Sequence, residues 1–93
     1  MIPTLPTAAL RDAIAADEWD LAAQLLAQHE HAMRSALAAA PPRSDDARQP
    51  WLALLSAQRA MLEELRVARD ETARQLQQLQ QDKRGVKAYL DGA

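Results

Sequence analysis

The sequence predicts an all-α fold in which a short helix precedes an antiparallel hairpin of a second helix and a long third helix. Helix-forming Ala, Leu, Gln, Arg and Glu dominate its 93 residues, with no Phe and a single Tyr. Apolar residues recur at steps of three and four. A proline-bearing stretch, AAAPPRSDDARQPW at 38–51, divides this pattern. We therefore expect a three-helix, coiled-coil-like bundle that oligomerises, formed by a single domain over residues 1–93.

Helix 1 is predicted over about residues 8–16. Thr7 precedes the run AALRDAIAA and suits an N-cap position, because its hydroxyl can accept a hydrogen bond from a first-turn amide. Leu10, Ala13 and Ile14 fall on one face of this helix, which we expect to be buried.

Helix 2 is predicted over about residues 18–39. The segment DEWD at 17–20 indicates a new start, with Asp17 as the cap and Asp20 in the first turn, where an acid suits the helix dipole. Apolar residues then recur at helical spacing until Pro41 and Pro42, which lack amide donors and end the helix.

The loop is predicted over residues 40–49 and helix 3 over about 50–83, with a tail to 93. Pro50 suits the first helical position. Gly85 costs about 1 kcal/mol in a helix interior, so the helix can bend or fray there. The seam of helix 3 is expected to follow a spacing of four and three, with polar gaps at Gln58, Arg69, Thr72 and Lys83. Its apolar residues are Trp51, Leu55, Leu62, Leu65, Leu76, Leu79, Val86 and Leu90.

Helix 3 is too long for its partner in this hairpin. At about 1.5 Å per residue, helix 2 is about 33 Å long and helix 3 about 50 Å or more. Residues beyond about 73 therefore extend past the hairpin. Their apolar seam favours an interface, either with a second copy of the chain or with a different protein.

Composition excludes several classes of partner. The formal net charge is −2, with acids and bases interspersed, so we expect no direct binding to nucleic acid. No apolar run approaches the roughly 20 residues of a membrane span, so no membrane insertion is expected. The absence of cysteine suits a reducing cytosol, and the start MIPTLPTAAL does not look like a signal peptide. We interpret the chain as cytoplasmic.

Catalytic and metal-binding patterns are missing from the sequence. His29 and His31 would point to nearly opposite sides of a helix, so they cannot share a metal ion. The neighbouring carboxylates Glu63 and Glu64 diverge around the helix and cannot work as an acid-base pair. We expect no enzyme activity, no cofactor and no metal. The basic residues Lys83, Arg84 and Lys87 either favour a helix C-terminus or bind an acidic partner, and both alternatives stay open.

Two stretches resemble a known family. The helix order, the segment EWDLAAQLLAQHEHAM and the run DKRGVKAY within the ending LQQLQQDKRGVKAYLDG are similar to the FliT type of flagellar export chaperone. The resemblance covers most of the chain from about Ala9.

The resemblance implies a function and a set of partners. Such chaperones bind the helical C-terminal region of the flagellar filament-cap protein, prevent its premature assembly and deliver it to the type III export apparatus through the export ATPase complex. Some also bind the master flagellar regulator and restrain flagellar transcription. The partner-binding residues carried over to this chain, with Leu90 added from the seam, are Leu62, Leu65, Leu76, Leu79, Val86, Tyr89 and Leu90, together with Met33 and Leu37. The alternative is a coiled-coil homodimer or scaffold without export cargo, in which the same seam pairs with itself.

Overall fold

The computed structural model describes residues 2–92, which form three α-helices and no strand. The helices are α1 (Thr7–Ala15), α2 (Trp19–Ala39) and α3 (Asp45–Gly92). This confirms the all-α class, with one short helix followed by two longer ones. The chain divides into a first unit that ends at Glu63 and a second unit that begins at Glu64. The single domain and the oligomerisation stay predictions.

A tight turn joins α1 to α2. The amide of Glu18 donates to the carbonyl of Ala13 at 2.8 Å, and the amide of Asp17 donates to the carbonyl of Ile14 at 3.1 Å. These two bonds define a Schellman motif, which satisfies carbonyls at the end of a helix. Asp17 has a φ of 56°, in the left-handed region that glycine usually supplies at this position.

The predicted caps of the first two helices are wrong. Asp17 closes the turn, and the N-cap of α2 is Glu18, which makes no capping hydrogen bond through its side chain. Thr7 is already the first residue of α1, where its hydroxyl donates to the carbonyl of Leu5 at 3.4 Å. Asp20 does lie in the first turn of α2, as expected from the helix dipole.

The third helix starts five residues earlier than the predicted position 50. Ser44 caps it by accepting a hydrogen bond from the amide of Ala47 at 3.1 Å, and Asp45 and Asp46 occupy the first turn. Pro50 is therefore inside the helix and not at its first position. Its missing amide leaves the carbonyl of Asp46 without the usual helical hydrogen bond, at a residue that is exposed to solvent.

The third helix also ends later than the predicted position 83. It continues through Gly85 to Gly92, and the rest of the predicted tail, residue 93, lies outside the described residues. Gly85 has no positive φ, and a Cβ added there would meet nothing within 4 Å. Its neighbours favour helix strongly enough to absorb the propensity cost of one glycine.

The buried residues of the first unit come from α1, α2, the first part of α3 and the segment before α1. Helix α1 packs on α2, and Leu10 is completely buried. His29 is buried and His31 is exposed, so the two imidazoles face different surroundings, as predicted. The other buried apolar residues are Leu5, Ala13, Ala22, Met33, Leu54 and Met61.

The buried face of α3 differs from the predicted seam. Leu54 and Met61 are buried, whereas Leu55 and Leu62 are 43% and 47% exposed. Counted from the half-buried Trp51, the inward-facing positions follow at intervals of three and then four residues. The predicted seam instead had intervals of four and then three. Both of these faces of α3 carry leucine or methionine, so periodicity alone could not show which face is buried. The packing of the first unit decides it.

Two polar atoms in this core have no hydrogen-bond partner within the described residues. They are Nε2 of His29 and Oε1 of Gln58. A buried polar group without a partner costs about 1–3 kcal/mol. The core of the first unit is therefore less stabilising than its apolar residues alone would make it.

The left-handed conformation of Asp17 predicts a specific order of stability. A β-branched residue is disfavoured at positive φ, so Asp17→Val should lower the free energy of unfolding by about 1–2 kcal/mol. Asp17→Gly should be at least as stable as the wild type, because glycine adopts this conformation without strain. Urea unfolding followed by circular dichroism measures both. The control is Asp12→Val in the middle of α1, and an equal loss in the two valine variants would contradict the assigned turn.

The register of α3 predicts opposite outcomes for two adjacent residues. Met61→Ala should lower the free energy of unfolding by about 2–5 kcal/mol, because it opens a cavity in the core. Leu62→Ala should cost about 1 kcal/mol or less, because nearly half of this side chain already lies in water. The same urea measurement compares the two variants. A larger loss for Leu62→Ala would show that α3 is rotated toward the seam predicted from the sequence.

Candidate partner-binding surface

Burial within the second unit stops abruptly. Leu65, Ala68 and Thr72 are half-buried, and every residue from Ala73 to Gly92 is exposed. The exposed run begins near residue 73, the position beyond which the helix lengths predicted that α3 extends past the hairpin.

Four exposed apolar side chains share one face of α3. At about 100° of rotation per residue, Leu76, Leu79 and Val86 lie within about 40° of Leu90 around the helix. Each of the four is between 56% and 67% exposed. Lys83 lies on the same face, between Leu79 and Val86. We call these five residues the tail stripe.

The tail stripe is an open apolar surface on one helix. The depression around it is shallow and is lined by Leu79, Val86 and Leu90, with charged side chains at its edges. A surface of this shape suits the apolar face of another helix, which contacts residues at steps of three and four. It offers no enclosed space for a small molecule.

Charged residues border the tail stripe on both sides. Asp82 lies about 100° around the helix from Lys83 on one flank, while Lys87 and Arg84 lie on the other flank. Nε2 of Gln78 donates to Oδ1 of Asp82 at 3.1 Å. Bonds of this kind between exposed groups one turn apart contribute only a few tenths of a kcal/mol, so a partner can displace them cheaply.

Most of the residues predicted to bind a partner are accessible. The four apolar residues of the tail stripe were all predicted. Tyr89 is 79% exposed but lies about 100° from Leu90, so it does not share the stripe. Leu62 is nearly half exposed in the first unit, and Leu65 is half-buried in the second.

The two predicted residues of α2 are less available. Met33 is buried in the core of the first unit, and Leu37 is half-buried. Within residues 2–92, four large exposed apolar residues were not predicted to bind: Leu52 and Val67, at 55% and 53% exposure, and Leu21 and Leu55, at 41% and 43%. Leu52 and Val67 lie off the predicted seam of α3, so nothing in the spacing of the sequence identifies them.

Other kinds of site find no support in residues 2–92. No three His, Asp or Glu side chains in this range are grouped so as to hold a metal ion. None of its helices combines the length and the apolar character needed to cross a membrane. A second shallow depression at the turn between α1 and α2 is lined by exposed acids together with Trp19 and Leu21.

Comparison with known proteins identifies a family. Residues 5–91 match the family model of the flagellar protein FliT. The matched range includes all of α1 and α2, and α3 as far as Asp91, and therefore contains the whole tail stripe. Searches of curated proteins and of solved structures gave no match.

The exposure of the tail stripe predicts that it tolerates charge without loss of folding. Leu76→Glu should keep the helix content and change the free energy of unfolding by no more than about 0.5 kcal/mol. Circular dichroism during urea unfolding measures both quantities. Leu10→Glu, at a completely buried position, is the control and should unfold the protein. Unfolding by Leu76→Glu would contradict the exposure of the stripe.

Proposed function

Because the chain belongs to the FliT family of flagellar export chaperones, we propose that its cargo is the flagellar filament-cap protein. It binds the helical C-terminal region of that protein, prevents premature assembly and delivers it to the type III export apparatus. The observation that supports this proposal is the tail stripe, an uncovered apolar face at helical spacing within the range that matches the family.

Binding at the tail stripe needs only the physics of a helix laid along a helix. Each Leu or Val side chain that becomes fully buried contributes about 1.5–3 kcal/mol. Ordering the cargo helix and losing its free motion offset part of this gain. The net affinity is moderate and reversible, as suits a chaperone that must release its cargo. No covalent step and no cofactor take part.

Covering the cargo helix also accounts for delayed assembly. A helix whose apolar face lies on Leu76, Leu79, Val86 and Leu90 cannot use that face to contact another copy of the cap protein. Release of the helix at the export apparatus restores the face. The chaperone therefore controls when the cap protein can self-associate.

Partners other than the cargo contact surfaces outside the tail stripe. We propose that the chain meets components of the export ATPase complex in the cytoplasm and, as a secondary role, restrains flagellar transcription by contact with the master flagellar regulator. The exposed Leu62 and Tyr89 are accessible for such contacts. Leu65 and Leu37 are partly accessible, and Met33 requires a rearrangement of the first unit. The interspersed surface charge favours protein partners over DNA.

A second candidate function is a coiled-coil oligomer or scaffold without cargo. The observation that favours it is the helical periodicity of the tail stripe, which a second copy could also cover in a homodimer. Native mass spectrometry distinguishes the two functions. A stable dimer that persists when the cap protein is added would support the scaffold, and a complex with the cap protein would support the chaperone.

The chaperone function predicts a selective loss of cargo binding. A soluble C-terminal fragment of the filament-cap protein should co-purify with the wild type, and Leu79→Glu should weaken its binding by about a hundredfold, as expected when one buried anchor worth about 2–3 kcal/mol is lost. Isothermal titration calorimetry measures the dissociation constants.

The matched control is Val67→Glu. Val67 is 53% exposed, similar to the stripe residues, but lies about 140° around the helix from Leu90, so its substitution should leave the affinity unchanged. The proposal would fail if the wild type did not bind the soluble fragment. An equal effect of both substitutions would move the binding surface away from the tail stripe.

A further inference from the structure

Lys83 is the one charged residue of the tail stripe. Leu79 and Val86 lie on either side of it along the same face of α3, so a helix that covers the stripe also covers the stem of the lysine. The stem can pack against apolar atoms, but the ammonium group needs water or an acceptor. Any partner that covers the stripe must therefore leave this positive charge hydrated or supply an acceptor for it within an apolar contact.

A second copy in parallel orientation supplies no acceptor for this charge. In a parallel pair in register, each seam residue faces its counterpart, so the two Lys83 ammonium groups would face each other. The same orientation would bring Asp82 of one copy near Lys87 of the other. An exposed ion pair contributes little, while like charges held together in an apolar seam are strongly unfavourable.

A second copy in antiparallel orientation offers no better acceptor. The stripe residues that could face Lys83 are then Leu76, Leu79, Val86, Leu90 or Lys83 of the second copy, and none of these side chains carries an oxygen. The nearest acid, Asp82, lies on a flank about 100° away and accepts a hydrogen bond from Gln78. Neither orientation of a self-paired stripe gives the lysine a carboxylate within the seam.

We infer that the tail stripe recognises one foreign amphipathic helix with an acidic side chain in its apolar face opposite Lys83. The same lysine keeps two copies of the chain from pairing through the stripe. This inference rests on the proposed function and adds to it the chemistry of the bound helix. A carboxylate opposite Lys83 forms a charge-assisted hydrogen bond in apolar surroundings, which fixes the register of the two helices.

The neighbouring charges refine the description of the partner. On one flank of the tail stripe, Asp91 lies beside two basic residues, Arg84 and Lys87. A partner helix with further acids along the edge that meets this flank would be attracted and oriented by them. The opposite flank carries Asp82 and favours neutral or basic residues on the other edge of the partner.

Designed peptides test the recognition directly. Two synthetic helical peptides share one leucine stripe and differ only in the central residue of that stripe, which is Glu in one and Lys in the other. We expect the full-length chain to bind the Glu peptide at least about tenfold more tightly, which corresponds to one well-placed ion pair. Lys83→Glu should reverse this preference. Lys87→Glu, on the flank, is the matched control and should preserve the order.

Equal binding of the two peptides, or a preference that Lys83→Glu does not reverse, would overturn the inference. The test does not use the cap protein. Failure of the cap protein to bind would therefore refute the proposed cargo, while the peptide preference would stand or fall independently.

Sedimentation equilibrium tests the effect on self-association. We expect Lys83→Leu, with a fully apolar stripe, to self-associate at least about tenfold more tightly than the wild type. Arg84→Leu adds the same side chain off the stripe and should behave as the wild type. A wild-type dimer whose dissociation constant is unchanged by Lys83→Leu would overturn this part of the inference.

Discussion

Burial of Leu54 and Met61 in the first unit fixes the rotation of α3 about its own axis. An α-helix turns by about 100° per residue, so a choice made at two positions determines which side chains of the neighbouring turns face inward. Leu55 and Leu62 are turned toward solvent as a result. The packing that makes this choice is close, since Met61 is 2% exposed, while its neighbour in the chain is nearly half exposed. Rotation of the helix by one position would exchange these roles and bury a different set of side chains.

Local hydrogen bonds determine where the helices begin and end. The Schellman bonds at Ala13 and Ile14 reverse the chain after α1, and they require Asp17 to adopt a positive φ. The Ser44 hydroxyl and the acids that follow it start α3 ahead of its proline. These two short segments therefore set the end of α1 and the start of α3.

In the proposed function, the tail stripe reconciles two demands on a small chaperone. It must present enough apolar surface to hold a cargo helix, yet this surface must not hold a second copy of the chain permanently. Leu76, Leu79, Val86 and Leu90 meet the first demand through burial on binding. We infer that Lys83 meets the second, because a charge within the seam is tolerated in water and disfavoured in any contact that lacks an acid. The affinity for cargo is thereby limited, which suits a protein that releases what it binds.

The sequence by itself determined the helical class, the order of the helices, the family and the apolar character of the tail stripe, because helix propensity, periodicity and motifs are local properties. It also placed the end of burial near residue 73, since helix lengths follow from residue counts. The tertiary structure alone decided which of two adjacent seams of α3 is buried, since apolar residues occupy both. It alone showed that Met33 is enclosed and that Asp17 closes a turn. These depend on contacts and backbone angles that only the folded chain defines.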